Sequence, residues 1–272
     1  MKYSVIALDL DGTLLNDNKV ISRVSLDILS QAQKKGLTVI IATGRHHITM
    51  IDYHRQLRLT TDAICCNGVY QYDILNSSVV ASTPVSHADV ERMVHLGKQH
   101  QIPFYLYVDN VMLYSNKEAH AKRVAGWDSA HDERLNKVFK WYPNFLTAYE
   151  SYNKLWKFSV AWDDISALKN FVAAVESEAK LQCLWSWENQ VDIALPGTGK
   201  GPRLKEYVES LGKTMNDVIA FGDNFNDVSM LEMAGLGVAM GNHAKGVEAF
   251  ADLIIGDNNS DSIAETIRNY CF

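Results

Sequence analysis

Residues 5–15 read VIALDLDGTLL. Four apolar residues lead into Asp9, a second carboxylate follows at Asp11, and the chain turns at Gly12. Neighbouring carboxylates raise each other's pKa, so this pair is costly unless something positive sits between them. Three other apolar runs also end in polar signatures: ATGR (42–45), CCNG (65–68) and AFGDNFND (220–227). If the four run ends meet, Asp9, Asp11, Asp223 and Asp227 share a small space, and a divalent cation removes the conflict. Mg²⁺ takes hard oxygen ligands, usually one or two carboxylates plus substrate phosphate. Asp9 and Asp223 are the first-choice carboxylate ligands. The remaining groups suit a phosphoryl oxygen. Thr43 offers a hydroxyl, Gly44 an unobstructed N–H and Asn226 an amide, while Lys200 in GTGKG (197–201) is a point charge just ahead of a helix. Mg²⁺ and Lys200 together offset the negative charge on nucleophile and substrate, so that attack becomes possible.

Such convergence needs a particular scaffold. In an open parallel sheet, ligands bind outside the carboxyl ends of the strands. Residues 4–8, 37–43, 62–68 and 217–223 are short, nearly continuous apolar runs, as buried parallel strands should be. Between the first two, Val24, Ile28, Leu29 and Ala32 recur at helical spacing, and Gly36 ends the helix. The texture changes at Thr83-Pro84. A polar amphipathic helix (86–100) precedes a hairpin over 103–115 that turns at Asp109-Asn110. A strand over 154–162, a helix and a strand pair over 181–195 follow, and this block holds all six tryptophans. Trp185 and Trp187 alternate on a strand, so they are expected to share a face. The expected organisation is an α/β core of residues 1–83 and 195–272 with an inserted α+β domain of residues 84–194.

Each signature alone has an ordinary reading. Asp-Gly is a common turn, Lys200 can be a solvated lysine, and Asp and Asn also cap helices. Their order on four strand ends carries the argument. Rival motifs fail on spacing. An EF-hand needs glycine two places later than Gly12. A P-loop needs glycine where Ala194 stands and Ser or Thr where Gly201 stands. GLGVAMG (235–241) lacks the third-glycine spacing of a dinucleotide site.

The bulk numbers agree with a globular enzyme. The chain has 272 residues, 47% hydrophobic, with a net charge of −6. That charge argues against general affinity for nucleic acid or an anionic membrane. No apolar run approaches the ~18 residues of a membrane span. The first residues do not resemble a signal peptide. Cys65, Cys66, Cys183 and Cys271 show no paired spacing. The expectation is a reduced, cytoplasmic protein without nucleic-acid or membrane partners.

The four ordered motifs resemble those of the haloacid dehalogenase superfamily of phosphatases, over essentially the whole chain. DLDGT matches its first motif, Thr43 its second, Lys200 its third and GDNFND its fourth. The insertion resembles the large α/β cap of the Cof-type subfamily. The resemblance implies a Rossmann-like core, Mg²⁺ and a small phosphorylated metabolite as partner. It implies Asp9 as the nucleophile that forms an aspartyl-phosphate and Asp11 as general acid, then base. It implies that Asp9, the Asp11 carbonyl and Asp223 hold Mg²⁺, with Asp227 supporting the ion from nearby. Leu10 through its backbone, Thr43, Gly44, Lys200 and Asn226 would bind the phosphoryl group. TGRHH, AICCNG, WKF, WSW and VDIA together resemble bacterial enzymes that dephosphorylate pyridoxal phosphate. Sugar or flavin phosphates are the alternatives. A binding-only sensor is disfavoured, since both aspartates and Lys200 are present.

Overall fold

The computed structural model describes residues 2–125 and 138–272. The chain divides into two compact units. One comprises Met1–Arg45, Met50–Ser82 and Gly199–Phe272, the other His46–Thr49 and Thr83–Thr198.

The first unit is built on a five-stranded parallel sheet in the order β14-β13-β12-β1-β2. Its strands are β1 (Val5–Leu8), β2 (Thr38–Ile41), β12 (Val218–Gly222), β13 (Leu236–Ala239) and β14 (Leu253–Ile254). Every residue of β1 and β12 is buried, which is why they read as unbroken apolar runs. The helix Arg23–Lys34 begins at Ser22, whose side chain accepts from the Ser25 amide, and buries Ile28, Leu29 and Ala32. Val24, expected on that face, is 38% exposed. The helix Lys200–Ser210 packs Leu204, Tyr207 and Val208 into a core shared with Val5, Ala7, Ile40, Val218 and Ala220. β1 lies between β2 and β12, strands far apart in the chain. The strand order therefore reverses beside β1, the position where open α/β sheets bind ligands.

One element departs from the expectation. The run ending in CCNG does not join this sheet as a full strand. β3 (Ala63–Cys65) pairs antiparallel with β4 (Tyr70–Asp73), which pairs with β5 (Ser78–Ser82) in a separate three-stranded sheet. A single parallel bridge, Ala42 to Ile64, links it to the end of β2. A buried three-residue run looks the same in either sheet, and the Asn67-Gly68 turn returns the chain onto itself.

The second unit carries a six-stranded sheet in the order β10-β11-β9-β6-β7-β8. The strands are β6 (Tyr105–Val108), β7 (Val111–Tyr114), β8 (Phe139–Trp141), β9 (Leu155–Ala161), β10 (Gln182–Trp187) and β11 (Gln190–Ala194). β6 and β7 form the hairpin that turns at Asp109-Asn110. The helix His87–His100 starts with a Ser86/Asp89 capping box. With the helix Ile165–Ala174 it covers one sheet face, where Leu106, Val108, Phe158, Val160, Val191 and Ile193 join the core. The period of two then sends Tyr105, Tyr107, Lys157, Ser159 and Asp192 to the other face, where the helix Lys117–Val124 brings His120 and Arg123 against Tyr105. The two tryptophans do not share a face. A register shift between Trp185 and Trp187 separates them; Trp185 packs on the core and Trp187 is 46% exposed. Among the described residues, no helix is long and apolar enough to cross a membrane.

Candidate active site

Asp9 follows β1 directly, and its amide donates to the Phe221 carbonyl of β12 at 3.1 Å. That ladder bond fixes Asp9 beside Asp223, which follows β12. Lys200, at the start of its helix, is fully buried and donates to Asp9 Oδ1 at 2.6 Å and Asp227 Oδ1 at 2.5 Å. Asp227 Oδ2 accepts from the amides of Asp223 (3.0 Å) and Asn224 (3.1 Å), so its carboxylate shapes the loop that presents Asp223. Thr13 Oγ1 donates to Asp223 Oδ1 at 3.0 Å. Gly12, at φ 80°, makes this possible: a Cβ there would overlap the Asp223 carboxylate.

Ligand atoms of Asp9, Asp223 and Asp227 lie within 4.8 Å of one another, and all three residues are buried. Three carboxylates against one ammonium leave excess negative charge in a space sheltered from water. Burial pushes the Asp9 carboxyl up to about 7 against the opposing charge of Lys200, with Asp227 adding to the rise. Burial, then the charges of Asp227 and Asp9, push Asp223 up to about 9. Burial disfavours the Lys200 ammonium, but Asp227 and Asp9 outweigh it and raise its pKa. A hard, oxygen-only donor set with surplus charge fits a divalent cation such as Mg²⁺.

The Asp11 side chain has different partners. Arg45 grips it with two bonds, Nε to Oδ2 at 2.6 Å and Nη2 to Oδ1 at 2.7 Å, and Lys19 Nζ adds a third at 2.9 Å. Burial opposes ionisation there, yet the charges of Arg45 and Lys19 hold the carboxyl well below the usual range. Neither cation was singled out from the sequence, although Arg45 stands in the ATGR signature. Long flexible side chains give no pattern that reveals their destination.

A second cluster gathers the neutral groups. The Asn67 amide donates to the Thr43 carbonyl at 3.0 Å, and Asn226 Nδ2 donates to Asn67 Oδ1 at 3.1 Å. Asn67 takes the left-handed conformation (φ 57°), and a Cβ on Gly44 would meet its Oδ1 at 3.0 Å. Asn67 thus ties the loops of Thr43, Gly44 and Asn226 together, a role the turn signal NG only hinted at. Thr43 Oγ1 accepts from the Arg45 amide at 3.1 Å. Asn226 Oδ1 is buried with no hydrogen-bond partner among the described residues. The Leu10 side chain is fully buried, so only its backbone is available to a ligand. Asn242 Nδ2 donates to the Gly12 carbonyl at 2.8 Å and braces the first loop.

This constellation has relatives. A family model described as haloacid dehalogenase-like hydrolase matches residues 6–267. The chain belongs to that family. It is 42% identical over 270 residues to the pyridoxal phosphate phosphatase YbhA of Escherichia coli, covering 99% of each chain. It is 30% identical to the 5-amino-6-(5-phospho-D-ribitylamino)uracil phosphatase YcsE of Bacillus subtilis, covering 98% of this chain and 95% of that one. A haloacid dehalogenase-like hydrolase from Bacteroides thetaiotaomicron superposes with a TM-score of 0.81 at 25% identity, over 98% of this chain and 99% of the other. The chain is therefore an enzyme of the phosphatase class, with a parallel-sheet core and an inserted α+β cap.

Proposed function

We propose that this phosphatase hydrolyses small phosphorylated metabolites, pyridoxal 5′-phosphate first among them, through an aspartyl-phosphate on Asp9. The observation that carries the reading is the Lys200 bridge between Asp9 and Asp227 at the reversal of the strand order. Asp9 Oδ2 is the attacking atom, because Oδ1 is engaged by Lys200. Covalent catalysis of this kind divides one difficult displacement into two easier ones. Asp9, Asp223 and the Asp11 carbonyl would hold Mg²⁺, and Asp227 would support it through the Asp223 loop. When bound, the ion supplies the charge neutralisation that lets an anionic nucleophile approach an anionic ester. Thr43, Gly44, Asn226, Lys200 and the Leu10 backbone orient the phosphoryl oxygens. Asp11 protonates the leaving oxygen and then takes a proton from water. Its ionised form, favoured by Arg45 and Lys19, suits the second half; the first half requires that grip to loosen. We assign the choice of substrate to the inserted block, residues 84–194.

The pyridoxal phosphate reading is supported by the 42% identical relative, and a ribityl phosphate reading by the 30% identical one. Phosphate release from a panel holding both esters separates them by kcat/KM. Acid quenching during turnover, followed by peptide mass spectrometry, should place the phosphoryl group on Asp9. Asp9→Asn should abolish turnover. A phosphoryl group on another residue, or an active Asp9→Asn enzyme, overturns the mechanism.

A further inference from the structure

The helix Lys200–Ser210 carries a second buried cation. Arg203 stands three residues after Lys200, so the two occupy neighbouring positions on one face of the helix. Arg203 is 7% exposed, and its Nε donates to the Gly68 carbonyl at 3.1 Å. Its Nη1 pairs with Glu206, whose side chain is 61% exposed. Gly68 takes φ 86°, and a Cβ there would overlap the Gly199 carbonyl and come within 3.1 Å of the Lys200 amide nitrogen. The Asn67-Gly68 turn is therefore packed directly against the start of the helix. That start is pinned elsewhere too. The Gly201 amide donates to Ser229 Oγ at 3.1 Å, and Ser229 belongs to the helix Val228–Met233, which follows Asp227 directly.

The pair with Glu206 does not account for a buried arginine. One partner is exposed, and ion pairs open to solvent are worth little. An apolar side chain would fill the same volume, but it would leave the Gly68 carbonyl without this donor. What the guanidinium adds is a bond from the Lys200 helix to the Asn67-Gly68 turn. Asn67 is the residue that gathers the neutral groups of the site: its amide donates to the Thr43 carbonyl at 3.0 Å, and its Oδ1 accepts from Asn226 Nδ2 at 3.1 Å. Three residues of helix rise only about 4.5 Å. One rigid helical turn thus joins the lysine that bridges Asp9 and Asp227 to the turn that holds Asn67.

We propose that Arg203 is a positioning residue for the phosphoryl pocket. Through the Gly68 carbonyl it holds Asn67, and thereby Thr43, Gly44 and Asn226, at a fixed spacing from Lys200. The inference rests on the assignment of those groups to the phosphoryl oxygens and adds the residue that sets their spacing. The acting feature is the hydrogen bond to Gly68, not the positive charge. Small errors in such spacing matter, since a displacement of about 1 Å at a reacting centre can cost up to about a hundredfold in rate.

Two substitutions separate the bond from the charge. Glutamine carries its amide nitrogen as many bonds from the backbone as the arginine Nε, so Arg203→Gln can still donate to Gly68. Arg203→Met places a methyl group there. Both lose the pair with Glu206. The readouts are KM and kcat for p-nitrophenyl phosphate and the inhibition constant of orthophosphate, all with Mg²⁺ present. Arg203→Met should raise KM and the orthophosphate constant about tenfold, with kcat within about threefold of the wild type. Arg203→Gln should keep both constants within about threefold, because the bond survives without the charge. In an Asn67→Ala background, Arg203→Met should change them less than about twofold further, because it acts through Asn67. Gly68→Ala reaches the same contact from the other side and should raise both constants while Arg203 remains, which keeps the test decisive if Arg203→Met does not fold. Equal rises in the Gln and Met variants overturn the inference, as does a full additional rise in the Asn67→Ala background or a Gly68→Ala enzyme with wild-type constants. Thr43→Ala tests the underlying assignment. An unchanged orthophosphate constant there overturns the phosphoryl-pocket reading and this inference together. A raised constant in Thr43→Ala beside an unchanged one in Arg203→Met overturns this inference alone.

Discussion

Two buried lysines invite comparison. Lys200, in the parallel-sheet unit, is shared between Asp9 and Asp227, with Asp223 close by. Lys157, in the second unit, donates to the carboxylate of Asp192. Both pairs close at 2.5 Å and both ammonium groups are shielded from water. The difference lies in the balance. The first site gathers three carboxylates around one ammonium and carries surplus negative charge, while the second pairs one ammonium with one carboxylate.

Substitution should separate the two. Lys200→Met leaves Asp9 and Asp227 buried without their cation. We expect kcat to fall about 10²–10³-fold, as when one preorganised donor is lost from a reacting centre. A stability loss of about 3–5 kcal/mol should accompany it. Lys157→Met should cost a similar ~3–5 kcal/mol of stability while phosphate release falls much less than in Lys200→Met. Adding Asp192→Leu to Lys157→Met should restore most of that stability, because the stranded charge is gone. No second substitution at one position should rescue Lys200→Met, since two carboxylates depend on it. Denaturant unfolding and steady-state kinetics on the same variants check both statements. Rescue of Lys200→Met by Asp227→Leu alone would erase the distinction.

The same contrast explains what the sequence could reveal. Asp9, Asp223 and Asp227 were legible together because they follow apolar runs whose ends a parallel sheet lays side by side, and Lys200 because it stands in a glycine-rich turn just ahead of a helix. The cap's Lys157 and Asp192 sit inside strands that read as ordinary alternation, WKFSVA and QVDIA. Nothing local distinguishes a buried charge from a solvated one there; only the pairing of β9 with β11 does. Arg45 and Lys19 were missed as partners of Asp11 for a related reason. Their head groups lie several bonds from the backbone, and tertiary structure decides where they end. The parallel assignment of residues 62–68 and the shared face of Trp185 and Trp187 failed differently. An antiparallel return at Asn67-Gly68 and a register shift in β10 are backbone events that side-chain periodicity does not encode.

Metal should act on one site only. A ligand held a hundredfold above its Kd stabilises the folded form by about 2.7 kcal/mol. Saturating Mg²⁺ should therefore raise Tm, and chelation should reverse the rise. Asp223→Asn should remove the response, because it takes a carboxylate from the crowded site. Asp192→Asn should retain it, whatever it does to Tm without metal. A Mg²⁺ response that depended on Asp192 instead would mean that the charge surplus had been assigned to the wrong unit.

The smallest effect concerns acid. The second unit also holds buried imidazoles, His46 and His47. His46 Nε2 lies 3.1 Å from the Val108 carbonyl, and His47 Nε2 lies 3.0 Å from Asn110 Oδ1. Burial draws His47 down to about 4, against the pull of its bond to Asn110, and draws His46 well down too, helped by His47. A histidine that stays neutral when folded takes its proton only in the unfolded chain, below its ordinary value of about 6.5. Stability is therefore unaffected above that pH and falls as the pH drops from 6.5 toward 4. For His47 the loss at pH 5 is on the order of 2 kcal/mol. His47→Gln can keep a bond to Asn110 but cannot titrate, so its Tm should fall less steeply between pH 7 and pH 5 than that of the wild type. Parallel slopes would show that His47 is as easily protonated folded as unfolded, and would place the acid sensitivity in the carboxylate-rich unit instead.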